Sequence, residues 1–406
     1  MIVGVALLLL LGTLLGVQVA MVLLVVVILG EVVHLIWMRY GLQGVVYERR
    51  LERDRVTWGE AIAATVTIWN RKRLPVAWLR AEDATSPLVT VRERRIAGDG
   101  LGGRALRNAW TLAPFERVTR HFHVTAERRG VYELGPVDLS VGDLFAREAA
   151  SERRELVGRF LVRPRTVETP PLVRRDLSGG LERARTGLTE DPSRFAGIRE
   201  YAPGDSLRRV HPRASARLGR PVVKRFEPSR DREVIVALDV RLTAVEAWGT
   251  PPDASAVESL FVVAASLARS LGLERVPFGV ATAGLQGGGY RIAWLPVAEG
   301  PGQAARAFDL LARAASDPLA PFSDVVRWVA RFAKAGSTVV VVTGRDPTTY
   351  VADLHRLERS GCQTLVLACG PDGVADAARA RGAGLAARSA RLDGPWQTAG
   401  HLVIGR

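Results

Sequence analysis

Two serines in the middle of the chain are the side chains to consider first for nucleophilic catalysis. Ser206 follows the turn Pro203-Gly204-Asp205, and Ser215 lies later in the same basic segment. A serine hydroxyl attacks a substrate when a neighbouring base takes its proton and a third group orients that base. No Asp-x-x-His occurs later in the chain, and Asp353-Leu354-His355 has a different spacing. Hydrolysis by Ser206 or Ser215 is therefore an alternative and not the leading hypothesis.

A histidine pair could hold a metal ion. His121 and His123 stand two residues apart, so they share one face of a predicted strand. No third ligand is close in the sequence, and useful metal sites need a fuller ligand set. A solvent-facing pair on a strand is the simpler interpretation.

The glycine-rich run in the second half of the chain is not a phosphate-binding loop, and a dinucleotide-binding fold is disfavoured. The glycine-rich run Gly284–Gly289 lacks a Lys-Ser/Thr ending, and the preceding strand-to-helix turn lacks G-x-G-x-x-G. Nucleotide phosphates are commonly held by one of these two loops. We predict no cofactor and no small-molecule substrate.

The segment 195–228 is the most basic part of the chain. Its basic residues are Arg199, Arg208, Arg209, Arg213, Arg217, Arg220, Lys224 and Arg225. Pro203-Gly204 is a strong turn signal, because proline fixes φ and glycine accepts a positive φ. Asp205 is placed to cap the short helical stretch that follows. Asp205 and Arg208 are predicted to dock this segment onto its neighbours.

A chain of 406 residues must position these motifs, which at roughly 100–200 residues per domain suggests two or three domains. With 48% hydrophobic and 24% charged residues, the chain can bury enough apolar surface to fold. Its 2 cysteines exclude a disulfide scaffold and a cysteine-rich zinc site. Cys362 and Cys369 flank a predicted strand, which keeps them more than about 20 Å apart and unable to pair with each other.

The net charge of +14 raises nucleic acid as a partner. The excess is spread along the chain, almost all of it is arginine, and no nucleic-acid motif appears. An anionic membrane surface attracts a basic protein equally well. We predict a lipid membrane and not a nucleic acid as the partner.

Residues 1–43 are predicted to form that membrane anchor. Met1–Gly30 contains no charged residue, and after Glu31 the apolar run continues to Met38. A span needs about 20 apolar residues. The run therefore makes one long tilted helix or, as we slightly favour, two short transmembrane helices that turn near Gly16-Val17-Gln18.

Arginines follow the apolar run at once, at Arg39, Arg49, Arg50, Arg53 and Arg55. Under the positive-inside rule, such a flank stays on the cytoplasmic side of the membrane. The remaining chain is therefore predicted to lie in the cytoplasm, attached to the cell membrane.

Residues 44–165 are predicted to form an antiparallel β-sandwich. Apolar and polar residues alternate from Ile62 to Ile68 and from Val118 to Thr125, the pattern of half-buried strands. Val76–Arg80 and Leu88–Arg94 are further strand candidates. Glycine and proline turns at short intervals favour a sandwich.

Residues 233–406 are predicted to form a doubly wound α/β domain. The predicted strands are Glu233–Asp239, Val276–Thr282, Tyr290–Leu295, Thr338–Thr343 and Gln363–Ala368, and they alternate with helical patterns near 255–272, 303–315, 324–335 and 350–360. Ser255 and Glu258 form a capping box that opens the first helix, and Gly272 ends it.

The central motif resembles the bacterial family known as domain of unknown function 58. The matching residues are Arg199-Glu200-Tyr201, Pro203-Gly204-Asp205, Arg208, Ser215-Ala216-Arg217, Val223-Lys224 and Phe226-Glu227, with Arg128–Tyr132, Leu134-Gly135-Pro136 and Gly142-Asp143-Leu144-Phe145 earlier in the chain. Pro212 stands where the family usually has tryptophan. The resemblance runs from the anchor to the carboxyl terminus and makes 166–232 a basic family-motif segment. It implies a binding role for Arg199, Tyr201, Pro203, Gly204, Asp205, Arg208, Ser215, Arg217 and Lys224.

The resemblance also implies a von Willebrand factor A-like domain at the carboxyl terminus. Such domains often bind Mg²⁺ through Asp-x-Ser-x-Ser, a later Thr and a later Asp. Asp239 and Thr243 fit this pattern and Ser323 stands for the middle Thr, but Arg241 replaces the first Ser. A hard cation needs converging oxygens, and a guanidinium keeps its charge in a protein. We predict a degenerate, empty site in which Arg241, or a water, pairs with Asp239.

The leading hypothesis is a non-enzymatic, membrane-anchored binding or assembly factor. The family resemblance implies a MoxR-type AAA+ ATPase as its partner. A serine hydrolase and a Mg²⁺-dependent adhesion module are the alternatives.

Overall fold

The computed structural model describes residues 17–93, 106–145, 147–170, 190–202, 210–228, 233–242, 253–285, 292–317 and 320–405. The chain divides into two compact units, Met1–Val162 and Arg163–Arg406. Each unit has its own hydrophobic core.

The described part of the first unit begins with the helix α1, Val17–Tyr40. Its stretch Met21–Tyr40 is apolar and long enough to cross a membrane, and 6% of it is buried. At its end the N–H of Gly41 donates to the Trp37 carbonyl over 2.7 Å. Residues 1–16, which would hold the first helix of the predicted hairpin, lie outside the described residues, and Val17 and Gln18 already belong to α1.

Antiparallel strands follow α1. They are β1 (Val45–Leu51), β2 (Arg55–Thr57), β3 (Ile62–Asn70), β4 (Val76–Thr85), β5 (Val89–Glu93), β6 (Leu106–Leu112), β7 (Arg117–Ala126), β8 (Gly130–Gly142), β9 (Glu148–Arg154) and β10 (Gly158–Arg163). One sheet has the order β1-β3-β7-β5, and another has the order β2-β10-β8-β4-β6 with β9 beside β8.

The two sheets enclose one core. Ile62 and Ile68 from one sheet meet Leu79 and Leu134 from the other, and these side chains are at most 1% exposed. Fully burying such a side chain stabilises the fold by about 1.5–3 kcal/mol. Alternate residues of β7 face this core, as the period of two predicted.

A buried ion pair joins β1 of one sheet to β4 of the other. Asp83 accepts hydrogen bonds from the Tyr47 hydroxyl and from the Arg49 guanidinium. Arg49 also donates to the carbonyls of Leu134 and Leu156, each over 2.6 Å. Burial, with the nearby Asp83 carboxylate, raises the pKa of Tyr47 far above its ordinary value, so this tyrosine stays a neutral donor.

The second unit contains a small strand pair and a large mixed sheet. The pair is β11 (Glu190–Glu200) with β12 (Val222–Pro228). The large sheet contains β13 (Val234–Asp239), β14 (Phe278–Ala283), β15 (Ile292–Ala298), β16 (Thr338–Thr343), β17 (Gln363–Ala368), β18 (Ala387–Leu392) and β19 (Leu402–Ile404), in the order β15-β14-β13-β16-β17-β18-β19. The edge strands β15 and β19 are antiparallel to their neighbours, and the inner strands are parallel.

Helices connect these strands. They are α2 (Pro212–Leu218), α3 (Ala254–Leu273), α4 (Gln303–Arg313), α5 (Phe322–Phe332), α6 (Val351–Arg359), which follows the 3-10 turn Pro347–Tyr350, and α7 (Gly373–Gly382). Val325 of α5, Leu354 of α6 and Ala377 of α7 share one hydrophobic cluster with Ile235 and Ala237 of β13. The helix α3 also has the length and composition of a membrane span, but 67% of it is buried, as expected of a core helix.

Several predicted elements are confirmed, and one cap is corrected. The strands β16 and β17 have the predicted bounds. The helix α3 is capped by Asp253 and not by Ser255, because the Asp253 carboxylate accepts from the N–H groups of Ser255 and Ala256. Glu258, the predicted second member of the capping box, is instead 4% exposed in the interior.

We expect Asp83→Asn to lower the free energy of unfolding by about 3–5 kcal/mol, because it leaves Arg49 as a buried charge without a counter-charge. Glu133→Gln is the matched control. It breaks a pair with Arg159 in which Glu133 is 50% and Arg159 is 74% exposed, so it should cost at most about 1 kcal/mol. Urea unfolding of the full-length protein in detergent measures the free energy of unfolding of both variants. Equal losses would contradict a structural role for the buried pair.

Candidate functional site

The chain reverses direction across the large sheet between β13 and β16. It runs through β14 and β15 on one side of β13, then returns to β16 and continues through β17 on the other side. Open α/β sheets bind ligands outside the carboxyl ends of their strands at such a reversal. Asp239 and Thr343, the last residues of β13 and β16, stand opposite each other there. We call this place the switch-point edge.

Asp239 is the buried centre of the switch-point edge, with 2% of its side chain exposed. Its Oδ2 accepts from Arg345 Nε over 2.7 Å and from Thr343 Oγ1 over 3.3 Å. Its Oδ1 accepts from the backbone N–H of Arg241 over 3.3 Å. Burial raises the pKa of Asp239, and the Arg345 guanidinium offsets part of that rise. The donors of the protein itself therefore stabilise the carboxylate.

The guanidinium beside Asp239 belongs to Arg345, which corrects the prediction of Arg241. Arg345 follows β16 by two residues, and 10% of its side chain is exposed. Its guanidinium carbon also lies 5.4 Å from the centroid of the buried Tyr350 ring. Arg345 reaches the end of β13 from the neighbouring strand, whereas Arg241 contacts the carboxylate through its own backbone N–H.

Gly370 allows the loops after β16 and β17 to approach each other closely. A Cβ atom at Gly370 would lie 2.3 Å from the carbonyl oxygen of Gly344, closer than any side chain can stand. The N–H of Cys369 also donates to the Thr343 carbonyl over 2.7 Å. These contacts hold the loops after β16 and β17 together next to the end of β16.

A second ion-pair cluster lies next to Arg345 in the sequence. Asp346 Oδ2 is 2.7 Å from Arg379 Nε, and Arg379 also contacts Asp376. The other oxygen of Asp346 accepts from the Thr348 N–H and hydroxyl over 2.9 and 2.8 Å. Partial burial raises the pKa of Asp346, but the hydrogen bonds from Thr348 and the charge of Arg379 outweigh it and lower that pKa. Arg379 remains 49% exposed although it contacts both carboxylates.

The described residues of this edge do not fit a divalent cation. The Arg345 guanidinium occupies the position beside Asp239 that a metal ion would need. The carboxylate oxygen that accepts from Arg345 is therefore not free to coordinate a divalent cation. Ser323 lies in the first turn of α5, and among the described residues no hydrogen bond joins it to Asp239. Thr243 lies outside the described residues. Within the described ranges no group of three His, Cys, Asp or Glu side chains is arranged to hold a metal.

The central motif is described in part. Pro203, Gly204, Asp205, Ser206 and Arg208 lie outside the described residues. Arg199 and Lys224 lie on the paired strands β11 and β12, and the Tyr201 N–H donates to the Pro221 carbonyl over 3.1 Å. Arg217 is exposed in the last turn of α2.

Pro212, which stands where the family usually has tryptophan, is the first residue of the helix α2. Proline is favoured there because its fixed φ suits the first turn. The cap of α2 is His211, whose side chain accepts from the Ala214 N–H over 3.2 Å. The Ser215 hydroxyl accepts from the Val222 N–H over 3.0 Å and donates to the Val222 carbonyl over 3.4 Å. The two hydrogen bonds of Ser215 therefore hold α2 against β12.

The histidine pair lies on β7, on the face opposite its buried Phe122 and Val124. His121 Nδ1 is 3.4 Å from the Thr65 hydroxyl of the neighbouring strand β3. Both histidines thus belong to the outer face of that sheet.

Sequence reasoning missed Arg345. The signal was available, because Gly344-Arg345-Asp346 follows an apolar strand directly, as Asp239 ends another. An arginine at the end of a buried strand beside a buried carboxylate is a candidate ion pair.

We expect Arg345→Ala to lower the free energy of unfolding by about 3–5 kcal/mol, because it leaves the Asp239 carboxylate buried without its counter-charge. The control is Arg241→Ala. A double-mutant cycle with Asp239→Asn should give a coupling of about 0.5–3 kcal/mol for Arg345 and a smaller one for Arg241. A larger coupling for Arg241 would restore the original prediction.

Comparison with known proteins supports part of the resemblance. Residues 197–369 match the sequence model of the family described as protein of unknown function DUF58. The uncharacterized protein YeaD of Bacillus subtilis is 23% identical over 202 residues, which are 49% of this chain and 49% of that protein. The match thus spans about half the length of that relative.

Solved structures give weaker similarities. A CARDB domain from Pyrococcus furiosus is 15% identical over 29% of this chain and 86% of its own, with a TM-score of 0.20. A Salmonella alpha-2-macroglobulin is 18% identical over 31% of this chain and 7% of its own, with a TM-score of 0.21. Similarities this low carry no argument about fold or function. The segment that does match the family, 197–369, includes Asp239, Thr343 and Arg345 of the switch-point edge and most of the central motif.

Proposed function

We propose that this chain is a non-enzymatic, membrane-anchored binding or assembly factor that lies in the cytoplasm. The observation that carries the proposal is the buried Asp239–Arg345 pair, because it occupies the place where an open α/β sheet would hold a ligand or ion. A polar edge whose inner charges are already paired is suited to binding a protein surface.

The exposed helix α1 supports membrane anchoring. Met21, Val22 and Val25 are each more than 60% exposed, and a membrane is the solvent that accepts such side chains. The arginine flank that begins at Arg39 supports a cytoplasmic position for the remaining chain.

The large sheet supports a doubly wound, von Willebrand factor A-like domain. Its strand order places the chain reversal between β13 and β16, and its strand β15 is antiparallel. In such a domain Asp239 would stand at the metal position, and Arg345 would replace the metal there.

The family resemblance supports a MoxR-type AAA+ ATPase as the partner. The partner would contact the switch-point edge through its exposed charges, of which Arg379 is 49% exposed. The hydrolase alternative gains no support from Ser215, since its hydroxyl is bonded to the backbone of Val222.

The orientation is tested by a reporter fused after Arg406. An enzyme that is active only outside the cytoplasm should stay inactive in this fusion, whereas a cytoplasmic reporter at the same position should be active. The reverse pattern would refute the proposed orientation.

Partner binding is tested with a purified, nucleotide-free MoxR-type ATPase and the full-length protein in detergent. We expect the same affinity in Mg²⁺ and in EDTA, because the edge is held by Arg345 and not by an ion. Arg379→Glu should weaken binding about tenfold, because it reverses an exposed charge at the edge. The control Arg159→Glu, an exposed arginine of the first unit, should leave it unchanged.

Loss of binding in EDTA would favour the Mg²⁺-dependent adhesion module. Absence of binding in both buffers would overturn the proposed partner.

A further inference from the structure

The loop between β8 and β9 lies against the helix α1. This β8–β9 loop contains Asp143, Leu144, Phe145 and Arg147, and its first residues belong to the motif Gly142-Asp143-Leu144-Phe145. The proposed binding edge makes no use of this motif. The loop and α1 belong to the same compact unit.

Polar contacts fix the loop to the helix. Asp143 Oδ2 lies 2.9 Å from His34 Nδ1 and accepts from Arg147 Nε over 2.9 Å. Arg147 also donates to Glu31 Oε1 over 3.0 Å and to the Gly30 carbonyl over 3.2 Å. The loop is therefore attached to one short stretch of α1, from Gly30 to His34.

Asp143 also gives the loop its shape. Its Oδ1 accepts from the backbone N–H groups of Phe145 and Arg147 over 2.9 and 3.0 Å. The carboxylate is fully buried, with 0% of its side chain exposed. The apolar tip is thus held in one conformation by the same side chain that contacts the helix.

That tip is apolar and exposed. Leu144 is 63% exposed and Phe145 is 60% exposed, whereas Asp143 between them and the sheet is buried. Two adjacent large apolar side chains exposed at a loop tip indicate a surface that binds another apolar surface, such as a membrane or a protein.

The position of the tip along α1 indicates which apolar surface it contacts. A Cβ atom at Gly30 would lie 3.7 Å from the Phe145 ring, and Gly30 is the last residue of the uncharged run. Arg39 lies nine positions after Gly30, which is about 14 Å along the helix at roughly 1.5 Å per residue. The tip therefore lies well on the membrane side of the arginine flank, beside the apolar surface of α1 where Val26 and Leu29 are exposed.

We propose that the β8–β9 loop is a second membrane contact, in which Leu144 and Phe145 enter the lipid bilayer beside α1. The proposal rests on the membrane anchoring proposed above. Glu31, His34, Asp143 and Arg147 lie at the boundary with the head groups, where their mutual hydrogen bonds reduce the cost of leaving water. The loop then sets the height and tilt of the first unit on the membrane.

The test places an environment-sensitive NBD fluorophore on single cysteines in the full-length protein, with Cys362→Ala and Cys369→Ala removing the native thiols. The labelled variants are Leu144→Cys, Phe145→Cys, Val25→Cys on α1 and Val131→Cys on β8. Val131 is 41% exposed and lies at the far end of β8, roughly 36 Å from Gly142 at about 3.3 Å per residue. The protein is reconstituted in phosphatidylcholine–phosphatidylglycerol vesicles with and without brominated acyl chains.

We expect bromination to quench the label at residues 144, 145 and 25, and to leave the label at residue 131 bright. Quenching at 25 without quenching at 144 and 145 would overturn the loop proposal while leaving the anchor intact, and it would favour a protein as the occupant of the tip. Quenching at 144 and 145 without quenching at 25 would support the loop and overturn α1 as the anchor. Quenching at none of the three overturns both.

A second variant tests how the loop is held. Asp143→Ala, added to the labelled Leu144→Cys protein, should reduce the quenching at residue 144, because the tip loses its contacts with His34 and Arg147. The label at residue 25 should be quenched as before. Undiminished quenching at 144 would contradict the role of Asp143.

Discussion

The pairing of buried charge is the constraint on which both units depend. In the second unit, Asp239 ends a strand whose residues are all buried, so its carboxylate must find partners within the protein. Arg345, Thr343 and the Arg241 backbone provide them. Because Arg345 comes from the loop after β16, the pair also joins the two strands between which the sheet reverses.

The first unit obeys the same constraint at two places. Asp83 and Arg49 join the two sheets through their common core, and the carbonyls of Leu134 and Leu156 satisfy the remaining arm of the arginine. Asp143 repeats the arrangement at the edge of the unit, where its partners His34 and Arg147 connect the β8–β9 loop with α1. In each case one buried carboxylate fixes the relative position of two elements that are distant in the sequence.

The positions of these buried carboxylates are the basis of both proposals. At the switch-point edge the inner carboxylate is already paired with Arg345, so the proposed partner would contact the outer charges, such as Arg379. At the opposite end of the chain, apolar side chains on α1 and on the β8–β9 loop are exposed at one level along the helix. Under the proposed function, the second unit would bind the partner and the first unit would contact lipid.

The sequence alone determined the local elements and the kinds of side chain at the site. Hydrophobic periodicity located β3, β7, β16 and β17, because burial on one or both faces leaves a repeat of two or a continuous apolar run. The elements α7, β18 and β19 were not predicted, and β18 mixes arginine, serine and alanine without an apolar run. Asp239 was recognised from its place at the end of an apolar strand, and Arg241 cast doubt on a metal site there.

Tertiary structure decided which arginine stands beside Asp239. The register of β13 against β16 brings Thr343 opposite Asp239, and Arg345 then reaches the carboxylate from more than 100 residues away. Sequence reasoning compared Asp239 with its nearest neighbours, where spacing is informative, and could not see a partner supplied by an adjacent parallel strand. The position of the Phe145 ring beside Gly30 has the same origin, since local patterns specify elements whereas long-range packing chooses their partners.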